Sequence, residues 1–77
     1  MSRFVFDERI FYERLINLLG QEKIKYGSWE ALAKELKVSD DILLKWRNKE
    51  RFPNLRDFVK LCEISNSPPE TLLFPKK

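Results

Sequence analysis

The sequence predicts a single all-α domain made of five short helices. Apolar residues recur at spacings of three and four along most of the 77-residue chain, as they do in amphipathic helices. Two glycines and four prolines are too few for the turns of an all-β domain, and a hydrophobic content of 43% is too high for a disordered chain. We expect one domain over residues 1–77, with an N-terminal arm at 1–6 and a tail at 75–77.

The first two helices are predicted from their apolar repeats and from the residues that interrupt them. The first covers about 7–23, and Gly20 weakens its last turn because glycine disfavours helix interiors. Gly27 and Ser28 break the pattern, and Ser28 is a good N-cap for a second helix over 29–37. The apolar face of the second helix is formed by Leu32, Ala33 and Leu36.

The third helix is predicted over about 39–49, with Ser39 as its cap. Asp40 and Asp41 fall in its first turn, where negative charge suits the helix dipole. Leu44 either is exposed or packs against the first helix. The residues expected to face the core are Leu43 and Trp46.

Two further helices follow Pro53, because the residue before a proline avoids the helical conformation and so ends the third helix. Asn54 can cap the fourth helix, and Ser67-Pro68-Pro69-Glu70 is a capping box with proline at the first helical position of the fifth. The apolar residues are Leu55, Phe58, Val59 and Cys62 in the fourth helix, and Leu72, Leu73 and Phe74 in the fifth.

Composition excludes several kinds of site. Without histidine, the chain cannot use histidine-dependent acid–base catalysis or histidine-ligated metals, and the single Cys62 cannot form an internal disulfide or a thiolate cluster. The carboxylates show no pairing with a plausible nucleophile. We therefore expect no enzymatic activity, no cofactor and no metal. Neither a signal peptide nor a long apolar run is present, which predicts a cytoplasmic protein without a membrane partner.

Positive charge is concentrated in one part of the chain. The formal net charge is +3, yet residues 34–60 hold eight basic and five acidic residues, and residues 45–51 hold four basic and one acidic. Such a stretch is typical either of a surface that binds a polyanion or of a solvated helix face.

Residues 28–48 form two short predicted helices, joined by about three residues and followed by a basic loop. This is the layout of a helix-turn-helix. Residues 28–39 read SWEALAKELKVS and resemble the pattern SQExLAxxLGVS, while residues 42–48 read ILLKWRN and resemble TISRWEN. Both are motifs of the Cro and repressor proteins of lambda-like phages, the XRE-type family. With Arg51 and Pro53 matching its RxP motif, the likeness extends from residue 11 to 74.

The resemblance implies a compact, five-helix, lambda-repressor-like fold that binds double-stranded DNA as a transcriptional regulator, with the third helix in the major groove. It implies base contacts by Asp40, Asp41, Ile42 and Lys45. It implies phosphate contacts by Trp29, Lys37, Asn48, Lys49 and Arg51. A homodimer on a palindromic operator is expected, with its contact at Leu72, Leu73, Phe74 and Pro75.

Departures from the family pattern leave alternatives open. Aspartates at base-reading positions can accept from cytosine N4, stabilise the helix N-terminus or repel DNA. Lys37 replaces the usual turn glycine, so either the turn is reshaped or Lys37 adopts a left-handed conformation at some cost. Trp29 replaces a glutamine and either covers Ile24 or Tyr26 or contacts a partner. These departures and the modest charge also fit a protein-interaction module on the same scaffold.

The N-terminal arm has an alternating aromatic pattern. Phe4 and Phe6 are spaced as in a short strand. They are expected to pack on the core, to form a dimer contact, or to act as an arm.

Overall fold

Five α-helices make up the structure, a computed structural model that describes residues 6–73; no strand occurs in that range. In chain order they are α1 (Glu8–Tyr26), α2 (Trp29–Leu36), α3 (Asp40–Arg47), α4 (Leu55–Ser65) and α5 (Pro69–Leu73). The predicted all-α class and the number of helices are confirmed. No helix in the described part of the chain combines the length and apolar character that crossing a bilayer requires.

Short polar side chains begin four of the helices. The side-chain oxygen of the residue before each helix accepts a hydrogen bond from the backbone N–H three residues later, which satisfies a donor that the helix N-terminus leaves unpaired. The four pairs are Asp7 with Ile10, Ser28 with Ala31, Ser39 with Ile42, and Asn54 with Asp57, at 2.8–3.2 Å. The caps predicted at Ser28, Ser39 and Asn54 are confirmed.

α1 is longer than the sequence predicts. It continues past Lys23 and ends before Gly27, whose backbone φ of 102° is left-handed and whose N–H donates to the Lys23 carbonyl at 2.8 Å. Gly20 lies inside the helix rather than in its last turn. Burial of Leu18 and Leu19 beside it offsets the cost of about 1 kcal/mol that glycine brings to a helix interior.

The core forms around α1, which packs against α2, α3 and α5, while α2 also contacts α3 and α4. Trp46 of α3 is the largest fully buried side chain, as predicted. The other buried apolar residues are Phe11, Tyr12, Leu15, Leu18, Leu19, Leu32, Ala33, Leu36, Leu43, Phe58, Leu61, Cys62 and Leu72. This packing fixes α3 with one face inward and the other toward solvent.

The inward face of α4 differs from the predicted one. Leu55 and Val59 are 77% and 44% exposed, whereas Phe58, Leu61 and Cys62 are buried. Apolar residues in this short helix fit two overlapping stripes at helical spacing, so the pattern alone does not decide which stripe faces the core. The predicted burial of Leu55 and Val59 is therefore wrong, and that of Phe58 and Cys62 is confirmed.

α5 closes the structure against α1. A proline, Pro69, is its first residue, as predicted, but the helix begins one residue later than a cap at Ser67 would place it. Arg14 of α1 donates from Nη1 to the backbone carbonyl of Thr71 at 2.6 Å, and Leu72 packs into the core beside this bond.

Candidate nucleic-acid interface

The connection between α2 and α3 is the tight turn Lys37-Val38-Ser39. Lys37 has φ 60° and ψ 42°, so the left-handed alternative for this position is confirmed. Lys37 N–H donates to the Lys34 carbonyl at 3.1 Å, and Val38 N–H donates to the Ala33 carbonyl at 3.0 Å. A lysine in this conformation costs roughly 1 kcal/mol relative to glycine. Its side chain lies exposed at the surface.

α3 has a buried face and a solvent-exposed face. Leu43 and Trp46 point into the core. Asp40, Asp41 and Leu44 lie exposed on the other side, and Leu44 is 43% exposed, which decides between the two predicted positions for it. The helix therefore presents its first turn and one side of its second turn to solvent.

Two of the four residues predicted to contact bases are partly enclosed. Ile42 is half-buried and packs against the core. Lys45 is also half-buried, and its Nζ lies 3.3 Å from Oδ2 of Asp41, one turn earlier. An exposed pair at this spacing is worth about 0.3–0.5 kcal/mol, so a phosphate can compete with Asp41 for the ammonium group. The four-residue spacing is the sequence signal that identifies this pair.

Trp29, at the start of α2, is half-buried against the side chain of Arg47. The guanidinium carbon lies 3.8 Å from the centre of the indole ring, which is close cation–π geometry. Ile24, one of the two neighbours predicted for Trp29, is 78% exposed and is not covered by the indole. This stack leaves Trp29 with less free surface for the phosphate contact that the resemblance implies.

The loop after α3 carries three of the residues predicted to contact phosphates, Asn48, Lys49 and Arg51. Lys49 is left-handed, with φ 62°. The Glu50 N–H donates to the Lys45 carbonyl at 2.9 Å, and Asn48 Nδ2 donates to Glu50 Oε2 at 3.3 Å. The basic side chains of Lys49 and Arg51 remain exposed. Asn48 is thus partly engaged within the loop.

An aromatic contact holds this basic loop on α1. The rings of Phe52 and Tyr12 are stacked, with centroids 4.9 Å apart and planes 11° from parallel. The rings of Phe6 and Phe11 lie 5.9 and 5.7 Å from that of Phe52. Packing is therefore the observed role of Phe6, while Phe4 lies outside the described residues. The anchoring role of Phe52 was not predicted, and its only sequence signal is an aromatic residue in an otherwise polar loop.

Two of the four residues predicted to form a dimer contact, Leu72 and Leu73, lie within the described residues. Leu72 is 3% exposed and packs within its own chain, so its side chain is not available to a second copy in this arrangement. Leu73 is half-buried. Phe74 and Pro75 lie outside the described residues.

The exposed face of α3 and the loops at its two ends are referred to below as the α3 surface. It carries four cationic side chains, and of these four only Lys45 has a carboxylate of a described residue within 4 Å. The other three are Lys37, Lys49 and Arg51. Positive charge thus lies at both ends of a helix whose first turn is acidic.

Comparison with protein-family models, with curated proteins and with solved structures finds no significant match to this chain.

Proposed function

We propose that this chain binds double-stranded DNA as a transcriptional regulator, with α3 in the major groove. The observation that carries the proposal is the position of Lys37 and Lys49. Both occupy left-handed backbone conformations at the two ends of an exposed helix, where glycine would be less costly to the fold. A lysine at each position interacts favourably with the negative end of the helix that precedes it, and its exposed ammonium group is also available to a polyanion.

The first step of the mechanism is phosphate binding. Lys37, which precedes α3 in the chain, contacts a phosphate of the DNA backbone. Lys49 and Arg51, which follow α3, contact phosphates at the other end of the helix. These contacts position the domain without reading sequence, and they make affinity fall as salt rises. The stack of Phe52 on Tyr12 limits the motion of the second loop and so lowers the entropy lost on binding.

The second step is contact with base edges. An eight-residue helix is about 12 Å long, close to the width of the major groove. Asp40 and Asp41 accept hydrogen bonds from cytosine N4. Lys45 donates to guanine once its ion pair with Asp41 is broken. Ile42 covers a thymine methyl with its exposed portion.

One helix of this length reads too few base pairs for useful selectivity. We therefore propose that two copies bind a palindromic operator, with half-sites about 34 Å apart. This arrangement follows the likeness to the Cro and repressor family described above.

The test is fluorescence anisotropy of the chain with labelled random duplex and with duplex enriched by selection, between about 50 and 200 mM salt. Lys49→Gln/Arg51→Gln should lower the salt slope by about 2, because two phosphate contacts are lost. Arg9→Gln/Lys23→Gln removes the same charge from α1 and should change the slope little. If the unmodified chain does not bind duplex DNA at low salt, the proposal is refuted.

A second candidate is a protein-binding module. The acidic first turn of α3 beside the exposed Leu44 favours it, since a carboxylate and an apolar side chain together suit a protein surface better than a phosphate backbone. Asp40→Asn/Asp41→Asn separates the candidates. Under the DNA proposal this variant binds duplex more tightly and with less selectivity, whereas a module that does not read DNA binds no duplex in either form.

A further inference from the structure

A basic groove lies between the α2–α3 turn and the first two turns of α4. It has a volume of about 330 Å³, and three of its lining residues are cationic. They are Lys37 from the turn and Arg56 and Lys60 from α4. Leu36 and Asp57 complete the lining. Arg56 and Lys60 form no part of the α3 surface, although they share the groove with Lys37.

The charges of this groove are not balanced inside the fold. Within residues 6–73, no ion pair at 4 Å or less involves Lys37, Arg56 or Lys60. Arg56 and Lys60 are four residues apart on one helix face, where like charges repel and destabilise the helix. The left-handed conformation of Lys37 is a further cost to the fold. The arrangement opposes stability, and an anion in the groove relieves the repulsion.

Asp57 does not neutralise the groove by a direct pair. It is half-buried in the first turn of α4, where its charge interacts favourably with the helix dipole. Its backbone N–H is capped by Asn54 Oδ1 at 2.8 Å. One carboxylate against three cations leaves the groove with a net positive charge.

We propose that this basic groove of the protein binds one phosphate of the DNA backbone, next to the DNA major groove that α3 enters. The inference rests on the proposed function and adds Arg56 and Lys60 to the residues that contact DNA. Lys37 lies two residues before Ser39, the cap of α3, so a phosphate held in this groove flanks the N-terminus of the reading helix. There the three cationic side chains of the groove offset the repulsion between the DNA backbone and the acidic first turn of α3.

Two variants of the full chain test the inference against random duplex DNA in a salt series. Arg56→Gln/Lys60→Gln should lower the salt slope by about 1 and weaken binding by about fivefold at 150 mM salt. Lys37→Gly should also lower the salt slope by about 1. The melting temperature of this variant should rise by about 4 °C, because glycine adopts the left-handed conformation without the cost that lysine incurs. A structural defect would lower melting temperature and binding together, so opposite shifts distinguish phosphate contact from misfolding.

The control is Arg9→Gln/Lys23→Gln, which removes two positive charges from outside the groove and accounts for long-range attraction. The groove inference is overturned if the Arg56→Gln/Lys60→Gln variant and this control have the same slope of affinity against salt. The proposal that the α3 surface binds DNA would then still stand. Failure of the unmodified chain to bind any duplex would overturn both proposals.

Discussion

The guanidinium carbon of Arg47 lies 3.8 Å from the centre of the Trp29 ring. This contact joins the last residue of α3 to the first residue of α2, so it sets the angle between the two helices at the end away from their turn. Burial of one ring face desolvates the cation, which strengthens the attraction.

We expect the two residues to be energetically coupled. Trp29→Ala and Arg47→Ala should each lower the free energy of unfolding by about 1–2 kcal/mol, and the double variant should lose about 1 kcal/mol less than their sum. The measurement is a double-mutant cycle by urea unfolding. Arg47→Lys keeps the charge but loses the planar stack, so it should recover only part of the loss. Additive single effects would show that the stack contributes nothing.

The stack of Phe52 on Tyr12 leads to a second prediction. Phe52→Ala should lower the free energy of unfolding by about 2 kcal/mol, because it removes an aromatic pair that holds the loop between α3 and α4 on α1. Leu55→Ala, three residues later, is the matched control: that side chain is 77% exposed, and its loss should change stability by less than about 0.5 kcal/mol. Equal effects of the two substitutions would contradict the anchoring role of Phe52.

The sequence predicts the helices well because local chemistry decides where they begin. Ser28, Ser39 and Asn54 cap their helices by hydrogen bonds to residues three positions later, and no distant contact is needed. Trp46 is predictable because a large aromatic at helical spacing from Leu43 has only the core to enter.

Contacts between elements are less accessible from the sequence. The Trp29–Arg47 and Phe52–Tyr12 pairs join residues 18 and 40 positions apart, and no local periodicity links them. The groove beside Arg56 likewise depends on where α2 and α4 meet. The inward face of α4 was mispredicted for the same reason, since packing against the other helices selects between two stripes that the sequence leaves nearly equal.

Glu22 of α1 is buried, with only 6% of it exposed, although no sequence motif distinguishes it from the other carboxylates of the chain. Its Oε1 has no hydrogen-bond partner among the described residues, and the nearest cation, Lys25 Nζ, is 3.8 Å away. That ammonium donates instead to the Ile64 carbonyl at 3.2 Å. A buried carboxylate oxygen without a donor is unfavourable.

Glu22→Met should therefore raise the free energy of unfolding by about 1–2 kcal/mol, because it places an apolar side chain of similar volume in the same site. Urea unfolding measures the change. Glu63→Met, on an exposed position of α4, should leave stability within about 0.5 kcal/mol of the unmodified chain. A loss of stability in Glu22→Met would mean that the carboxylate is satisfied in solution.

The free energy of unfolding should fall in alkaline solution because of two buried groups that titrate there, the thiol of Cys62 and the hydroxyl of Tyr12. Burial, with a smaller contribution from the negative charge of Glu70, raises the pKa of the Cys62 thiol above its usual 9.0. Burial and, secondarily, Glu8 raise the pKa of the Tyr12 hydroxyl above its usual 10.0. At these pH values the folded state retains protons that the unfolded state has released, so unfolding becomes more favourable as pH rises.

The melting temperature should therefore be insensitive to these groups below about pH 8 and should decline above about pH 9, first through Cys62 and then through Tyr12. Cys62→Ala should flatten the early part of the decline, and Tyr12→Phe the later part. The buried thiol should also react with a thiol reagent at neutral pH only at the rate of chain opening, and urea should accelerate it. A Cys62→Ala profile that declines in parallel with that of the unmodified chain would show that the thiol does not carry the alkaline loss.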